Sequence, residues 1–364
     1  MSGYVKKITA TILEQANRMY KLCGCDEYAK NPHKYAENYL STLGETLEEA
    51  RPKFTGSYAD IPSSIYDVCH AIYMEKHDYF HPAGGAWVAP LAINWLQSKI
   101  VYSFHNELDE AIAGSTDEVQ EFPSDILTAL PCDCFAMIFP KKEIPLSIRL
   151  KSRRAMNAPD DDGTLDNILD AELCGAVILR DGHYLLVDSV VYSGRSDSCG
   201  FLPVWFDLGE TKNISELVEK AIDRHFGHDF SAIKDEFRFK LLAILPYLVY
   251  LCAKNADISW NEKSRRIYKK RKQSKNDMRE VRIMNVGKEY AIRSRRFRQA
   301  YVDSKEKGNG SSTMKAPHVR RAHYAHHWYG SEAKGTRHVE LIWIEQTYVH
   351  KDLLPTTATT IVKV

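Results

Sequence analysis

The chain has 364 residues, and its hydrophobic content of 44% and aromatic content of 11% are ordinary for a globular protein that buries a sizeable core. The formal net charge of +1 divides into −13 over residues 1–261 (25 Lys and Arg, 38 Asp and Glu) and +14 over residues 262–364 (24 and 10). The first residues lack the apolar stretch of a secretion signal, and the most apolar run, residues 239–253, is shorter than the roughly 20 residues of a membrane span, so we expect a cytoplasmic protein with no membrane partner.

Helices are predicted in the first part of the chain. Apolar residues at helical spacing from Ile8 to Cys23 predict a first helix that ends at Gly24. Further helices are predicted at about 33–50, 62–75 and 87–112. We therefore predict a helical N-terminal region over residues 1–115.

Strands and helices alternate in the next part, which we predict to be an α+β core over residues 116–258. A short apolar run bounded by prolines at 134–140 predicts a buried strand. Strands at about 173–180 and 183–192 are joined by Asp181-Gly182, a preferred pair for a two-residue hairpin turn. Helices are predicted at 213–227 and at about 235–254, the second bent or interrupted at Pro246.

The basic part of the chain follows. Residues 262–275 carry eight basic side chains and one acidic one, and a strand at 280–286 and a helix at 289–301 come next. We predict a basic strand–helix segment at 259–302, a flexible linker at 303–316 and a C-terminal His/Arg/aromatic β-hairpin at 317–364. The fold class is α+β, with a helical N-terminal region, a mixed or antiparallel sheet body with packed helices, and a C-terminal β-hairpin.

The division of charge has two interpretations. A basic region in such a chain favours contact with a polyanion, commonly nucleic acid. Alternatively, the acidic part neutralises the basic part within the fold.

The eight cysteines are weak signals for a metal. Two C-x-C pairs occur, Cys23 with Cys25 and Cys132 with Cys134, whereas structural zinc sites use wider spacings. We expect reduced cysteines that are mostly buried as small apolar side chains. The sequence predicts no cofactor.

The most unusual stretch is HVRRAHYAHHWYG, residues 318–330, which holds four of the 14 histidines. On a helix, His323 and His327 would share a face, but Tyr324 stands where the H-E-x-x-H metal motif has its glutamate. On a strand, alternation separates the side chains into two faces. One face carries His323, His327 and Arg321, and the other carries His318, His326, Arg320, Tyr324 and Trp328. Neither geometry gathers three ligands, and the adjacent arginines disfavour a cation, so we predict no metal site.

Two uses of this stretch stay open. Histidine titrates near neutrality, so the candidate catalytic residues His318, His323 and His327 would cleave RNA without a metal while Arg320 and Arg321 stabilise the phosphorane charge. In the second use, the arginines bind phosphate or carboxylate, and Tyr324 and Trp328 stack on bases or guanidinium groups. The second use predicts an RNA- or ribosome-facing surface that also includes the basic run, namely Arg265, Arg266, Lys269, Lys270, Arg271 and Lys272.

The string PHVRRAHYAHHWYG followed by VELIWIEQTYV resembles the C-terminal signature of the second described family of type V-A anti-CRISPR proteins. Two further segments resemble that family in the same order, FPSDILTALPCDCFAMIF (122–139) and LLAILPYLVYLCAKNADI (241–258), so the resemblance covers roughly residues 120–350. The chain departs from the family at Ala325, where a histidine is usual, and at Glu345-Gln346, where many members have paired prolines.

The resemblance implies a protein of a plasmid or phage that suppresses the type V-A effector nuclease. Members of the family recognise the nascent N-terminal polypeptide of the effector and cause loss of the mRNA being translated. The implied partners are that peptide, the ribosome or mRNA, and a host RNA-degradation factor, and the implied role is an adaptor rather than an enzyme. The acidic α+β body would hold the peptide in a strand-edge or apolar groove. The alternatives are a metal-independent ribonuclease and an RNA-binding regulator without peptide specificity.

Overall fold

The structure is a computed structural model, and it describes residues 3–23, 32–46, 49, 91, 94–148, 150, 171–193, 198–209, 211–226, 231–261, 281–306, 318–331, 334, 336 and 338–349. In these residues the chain forms a seven-stranded mixed sheet with helices on both faces and a hairpin near the C-terminus. The predicted α+β class is therefore confirmed. The predicted helix at 62–75 and the basic run at 262–275 lie outside the described residues.

Two helices are described ahead of the sheet, α1 (Gly3–Cys23) and α2 (Pro32–Leu43). The apolar face of α1 is buried at the predicted helical spacing by Val5, Ile8, Ile12 and Ala16. The prediction that α2 reaches residue 50 is wrong, because the helix ends at Leu43 and Gly44 takes a φ of +74°. Glycine adopts this left-handed conformation at low cost, which makes it a common helix stop.

The seven strands lie in the order β5-β4-β3-β2-β1-β7-β6. Their bounds are β1 Ile100–Phe104, β2 Cys134–Glu143, β3 Ala171–Asp181, β4 Tyr184–Ser193, β5 Ser198–Asp207, β6 Ile258–Trp260 and β7 Arg282–Val286. β1 pairs in parallel with β2 and β7, and the other pairs are antiparallel. The predicted strands at 134–140 and 280–286 and the predicted hairpin are confirmed. The hairpin turn lies one residue later than predicted, at Gly182-His183, with Gly182 at a φ of +59°.

The predicted helix at 87–112 is wrong. Residues 94–98 are helical, Lys99 takes a φ of +48°, and β1 follows before the short helix α3 (Asn106–Ala113) begins. Apolar residues recur every fourth position from Leu96 to Ile112, a spacing that predicts one continuous helix. Parallel pairing on both sides of β1 overrides this local pattern, because it buries alternate residues of an extended chain.

The remaining helices are α4 (Thr116–Gln120), a 3-10 turn at Ser124–Ala129, α5 (Ile214–Phe226), α6 (Ser231–Cys252) and α7 (Lys288–Glu306). The last three confirm predicted helices, and Pro246 lies inside α6. Because α7 continues to Glu306, the first residues of the predicted linker are helical, and residues 307–316 lie outside the described part. No helix among the described residues is long and apolar enough to cross a membrane.

The sheet is covered on both faces. Phe135, Met137 and Phe139 of β2 join the core beneath α3, α5 and α6, whereas Cys134, Ala136 and Ile138 join the core beneath α1. This alternation follows from the two-residue period of a strand. The hairpin packs on the α6 side, so α6 lies between the sheet and the C-terminal motif.

Candidate functional site: the C-terminal hairpin and a cleft at the strand ends

The His/Arg/aromatic stretch forms half of one long antiparallel ribbon. β9 (His323–Tyr329) pairs with β10 (His338–Ile344), and β8 (His318–Arg320) pairs with β11 (Thr347–Val349). Ile344 lies opposite His323 and Thr347 lies opposite Arg320, so the two ladders share one register. We call this ribbon, residues 318–349, the C-terminal hairpin.

Aromatic side chains hold the inner face of the C-terminal hairpin against the core. Tyr324 is 4% exposed and its hydroxyl donates a hydrogen bond to the Pro246 carbonyl oxygen at 3.0 Å. Its ring packs edge-on against Trp343, directly opposite in β10, at 4.7 Å between centroids, and against Phe122 at 5.5 Å. Burial raises the pKa of Tyr324, so the phenol stays protonated and donates. The structure thus places this predicted partner-binding residue in the core, where its ring has no face free to stack on a base.

Residues after α6 hold the outer edge of β10. The Lys254 amide donates to Leu341 O at 3.0 Å, and the Asn255 side chain exchanges two hydrogen bonds of 2.8 Å with the backbone of Trp343. The Lys254 ammonium contacts both carboxylate oxygens of Glu340 at 2.6 Å and lies 4.7 Å from the centroid of the Tyr329 ring. Tyr324 of β9 contacts both Phe122 and Pro246 of α6. The three segments that carry the sequence resemblance therefore pack against one another.

The outer face of the C-terminal hairpin is polar and basic. Arg321, His323 and His327 are exposed, and His323 Nδ1 lies 3.2 Å from Arg321 O. His326 belongs to the opposite face, where its ring packs edge-on against Phe122 at 5.1 Å. This division of the histidines matches the alternation that the sequence predicts for a strand.

Arg320 and Arg321 are both exposed, and among the described residues neither forms an ion pair. Two adjacent guanidinium groups without a carboxylate partner keep their full capacity to bind phosphate or carboxylate. His318 and Trp328 lie in β8 and β9, but their side chains are outside the described part, as are all six candidate residues of the basic run.

The outer face does not bring His323 and His327 onto one phosphodiester. They are four residues apart in one strand, so their Cα atoms are about 13 Å apart at roughly 3.3 Å per residue. An acid–base pair needs both groups within hydrogen-bond reach of the same reacting centre. The spacing suits contact with a partner that extends along the strand.

The arginines of α7 are largely neutralised within the fold. Arg293 binds Glu345 with an Nε–Oε2 distance of 3.0 Å, Arg298 binds Glu110 at 2.7 Å, and Arg295 binds Glu107. Partial burial opposes the charged form of Arg293, but Glu345 outweighs it and raises the pKa of the guanidinium. Glutamates of the acidic part of the chain thus neutralise Arg295 and Arg298, whereas Glu345, within the basic part, neutralises Arg293. Arg320 and Arg321 differ from these arginines, because they form no ion pair among the described residues.

A second feature, which the sequence did not predict, is a cleft of about 310 Å³ at the carboxyl ends of the parallel strands. It lies beside the last residues of β1 and β7 and the 138–140 part of β2. We call it the strand-end cleft. Its apolar wall is formed by Val5, Phe104, Ile138, Phe139 and Pro140. Ligands of open sheets bind characteristically at this edge, outside the carboxyl ends of parallel strands.

The polar side of the strand-end cleft has unused hydrogen-bonding capacity. In the described part of the chain, the side chains of Ser103, His105 and Asn106 have no hydrogen-bond partner. The side-chain oxygen Oδ1 of Asn285 accepts one long hydrogen bond, 3.4 Å, from Asn261 Nδ2. Mainly because of burial, and also because of Arg295, the pKa of His105 is lowered despite the nearby Glu107, so its imidazole is neutral near pH 7.

Among the described residues, no group of three or more His, Cys, Asp or Glu side chains is placed to hold a metal ion. Burial raises the pKa of the Cys134 thiol and also that of Cys132, so neither favours the thiolate that a metal would bind. Cys25, of the other C-x-C pair, lies outside the described part.

No curated protein matches the chain. The model of the AcrVA2-like family, described as the anti-CRISPR type V subtype A2 family, matches residues 102–351, which are 250 of the 364 residues. The match begins in β1 and ends just after β11, so it includes the C-terminal hairpin and most of the strand-end cleft. The chain therefore belongs to the AcrVA2-like family and is an anti-CRISPR protein of type V-A.

Proposed function

We propose that this protein suppresses the type V-A effector nuclease by recognising its nascent N-terminal polypeptide and triggering degradation of the mRNA under translation. Membership of the anti-CRISPR family supports the type V-A target. The observation that carries the proposal is a set of exposed basic residues on the C-terminal hairpin, which we call the basic face. Arg321, His323 and His327 project from the outer side of the strand, Arg320 is exposed on its other side, and neither arginine forms an ion pair among the described residues.

This basic face suits RNA of the message or the ribosome. Unpaired arginines bind phosphates bidentately, and each contact gains from the release of counterions. The basic run at 262–275, with eight basic side chains and one acidic one, would add further cations. Both groups would act on one polyanion.

The proposed division of labour makes the protein an adaptor. The basic face contacts mRNA or the ribosome, a separate surface binds the nascent peptide, and a host RNA-degradation factor removes the message. Action on a translating message places the protein in the cytoplasm. The separation of His323 and His327 along one strand favours this assignment over cleavage by the hairpin itself.

The test compares two reporter messages in cells that express the protein. One carries the N-terminal codons of the effector in frame, and the other carries a compensated frame shift that keeps nearly the same RNA but changes the peptide. We expect only the in-frame message to fall. Equal loss of both messages would overturn peptide recognition, and purified protein that cleaves labelled transcript, with loss of cleavage in His323→Ala, would establish the ribonuclease instead.

A pair of charge variants tests the basic face. Arg320→Ala/Arg321→Ala removes two exposed cations that form no ion pair among the described residues, and we expect it to abolish the loss of the in-frame message. Lys6→Ala/Lys212→Ala is the matched control, because it removes two exposed cations from elsewhere on the protein. Equal effects of the two double variants would show that net charge, rather than this face, matters.

A further inference from the structure

We propose that the strand-end cleft is the peptide site, where an extended segment inserts one large apolar side chain and binds through the neighbouring backbone amides. This inference rests on the proposed peptide recognition and assigns it to named residues. From the sequence alone, the peptide site was expected to be a strand edge or an apolar groove, and no residues were assigned to it.

The size and wall of the cleft suit a single inserted side chain. A volume of about 310 Å³ is at the lower end of the range for small-ligand sites, so it holds one residue and its backbone rather than a folded element. Phe104 and Phe139 are among the apolar lining residues, and they are almost fully buried at 6% and 1% exposed. Tyr247 stacks on Phe139 at 4.4 Å between centroids and lies edge-on to Phe104 at 4.9 Å, so the wall is supported from behind.

The polar side matches a peptide backbone. A peptide unit presents one N–H donor and one C=O acceptor. Ser103, Asn106 and Asn285 each offer both a donor and an acceptor, and neutral His105 offers one of each. These groups lie at the ends of strands and at the first turn of α3, and their hydrogen-bonding capacity is largely unused in the described part of the chain.

The charges of the cleft disfavour an anionic ligand. Its arginine, Arg295, already binds Glu107, and a phosphate or carboxylate would approach the Glu107 carboxylate. Burial opposes the charged form of Glu107, but the hydrogen bonds from Arg295 and from its own backbone amide outweigh burial and lower the pKa of this carboxyl group. Because Arg295 and Glu107 neutralise each other, the rim suits an uncharged peptide backbone better than an anion.

Helix α7 connects the cleft to the C-terminal hairpin. Arg295 contacts the rim of the cleft through Glu107, while Arg293 and Ser294 contact Glu345 and Gln346 between β10 and β11. Three consecutive residues of one helix thus contact both surfaces. Peptide in the cleft and RNA on the hairpin would therefore bind next to the same helix.

The experiment is calorimetric titration of the full chain with a synthetic peptide of the effector's N-terminal segment and with a scrambled peptide of equal composition. Asn106→Trp places a large side chain at an exposed position on the rim, so it should block the cleft without changing the core. Asp125→Trp is the matched control, an exposed position in the turn that precedes the amino end of β2 at the opposite edge of the sheet. Thermal unfolding of both variants checks that the fold is kept.

We expect the wild type and Asp125→Trp to bind the native peptide equally, and Asn106→Trp to bind at least about tenfold more weakly, as loss of one buried apolar side chain implies. Wild-type affinity in Asn106→Trp would overturn the cleft as the site while leaving peptide recognition intact. No binding by the wild type would overturn both. If free phenylalanine bound as tightly as the native peptide, the cleft would be a site for a small zwitterionic ligand rather than for a peptide.

Discussion

Removal of the Tyr324 side chain should detach the C-terminal hairpin from the core. Tyr324→Phe deletes only the hydroxyl that donates to Pro246 O, and loss of one such hydrogen bond costs about 0.5–1.5 kcal/mol in the free energy of unfolding. Tyr324→Ala also deletes the ring between Phe122 and Trp343, and truncation of a buried aromatic side chain costs about 3–5 kcal/mol. The two variants should therefore differ by about 1.5–4.5 kcal/mol.

Urea denaturation and hydrogen exchange of the β9 and β10 amides measure this effect together. If the hairpin unfolds with the core, Tyr324→Ala lowers the global free energy of unfolding; if it opens alone, exchange rises only in residues 318–349. His327→Ala is the matched control, because this side chain is exposed on the outer face of the same strand, and its effect should stay within about 0.5 kcal/mol. If Tyr324→Ala matched this control by both measurements, the inferred docking would be refuted.

Two further predictions concern backbone strain and pH. Gly287→Ala should lower the free energy of unfolding in urea by about 2–5 kcal/mol, because a Cβ at a φ of +76° would lie 2.5 Å from Leu108 Cδ2. Gly182→Ala, at a φ of +59° with open space around it, should cost about 1–2 kcal/mol, and equal losses would contradict the Leu108 contact. The pKa of His105 is lowered from 6.5 by folding, so the unfolded state binds a proton more readily and stability falls as the pH drops below about 6.5. His105→Gln should make unfolding free energy less dependent on pH between 7 and 5, and an unchanged pH profile would count against burial of this imidazole.

Local patterns in the sequence predicted much of the secondary structure. Helices α5, α6 and α7, strand β2 and the β3–β4 hairpin follow from the spacing of apolar residues and from turn residues near Gly182. The separation of His323 and His327 from His326 follows from the two-residue period of a strand. The long motif at 318–330 also indicated the family, because its composition is unusual over a continuous stretch.

Contacts between distant segments decided the rest. β1 has helical apolar spacing but becomes a strand because β2 and β7 pair with it from both sides, and Pro203 in β5 is accommodated because that strand lies at the sheet edge.

Contacts between distant segments also decided the functional surfaces. Tyr324 and the exposed Arg321 lie three residues apart in one motif, and the tyrosine is buried by contacts with Pro246 of α6, Phe122 and Trp343. The strand-end cleft gathers residues from positions 4 to 295, and ion pairs with distant glutamates neutralise Arg293, Arg295 and Arg298 of α7. Residue periodicity carries information about the local backbone, whereas burial, charge pairing and clefts depend on which distant segments meet, and that is set by the tertiary structure.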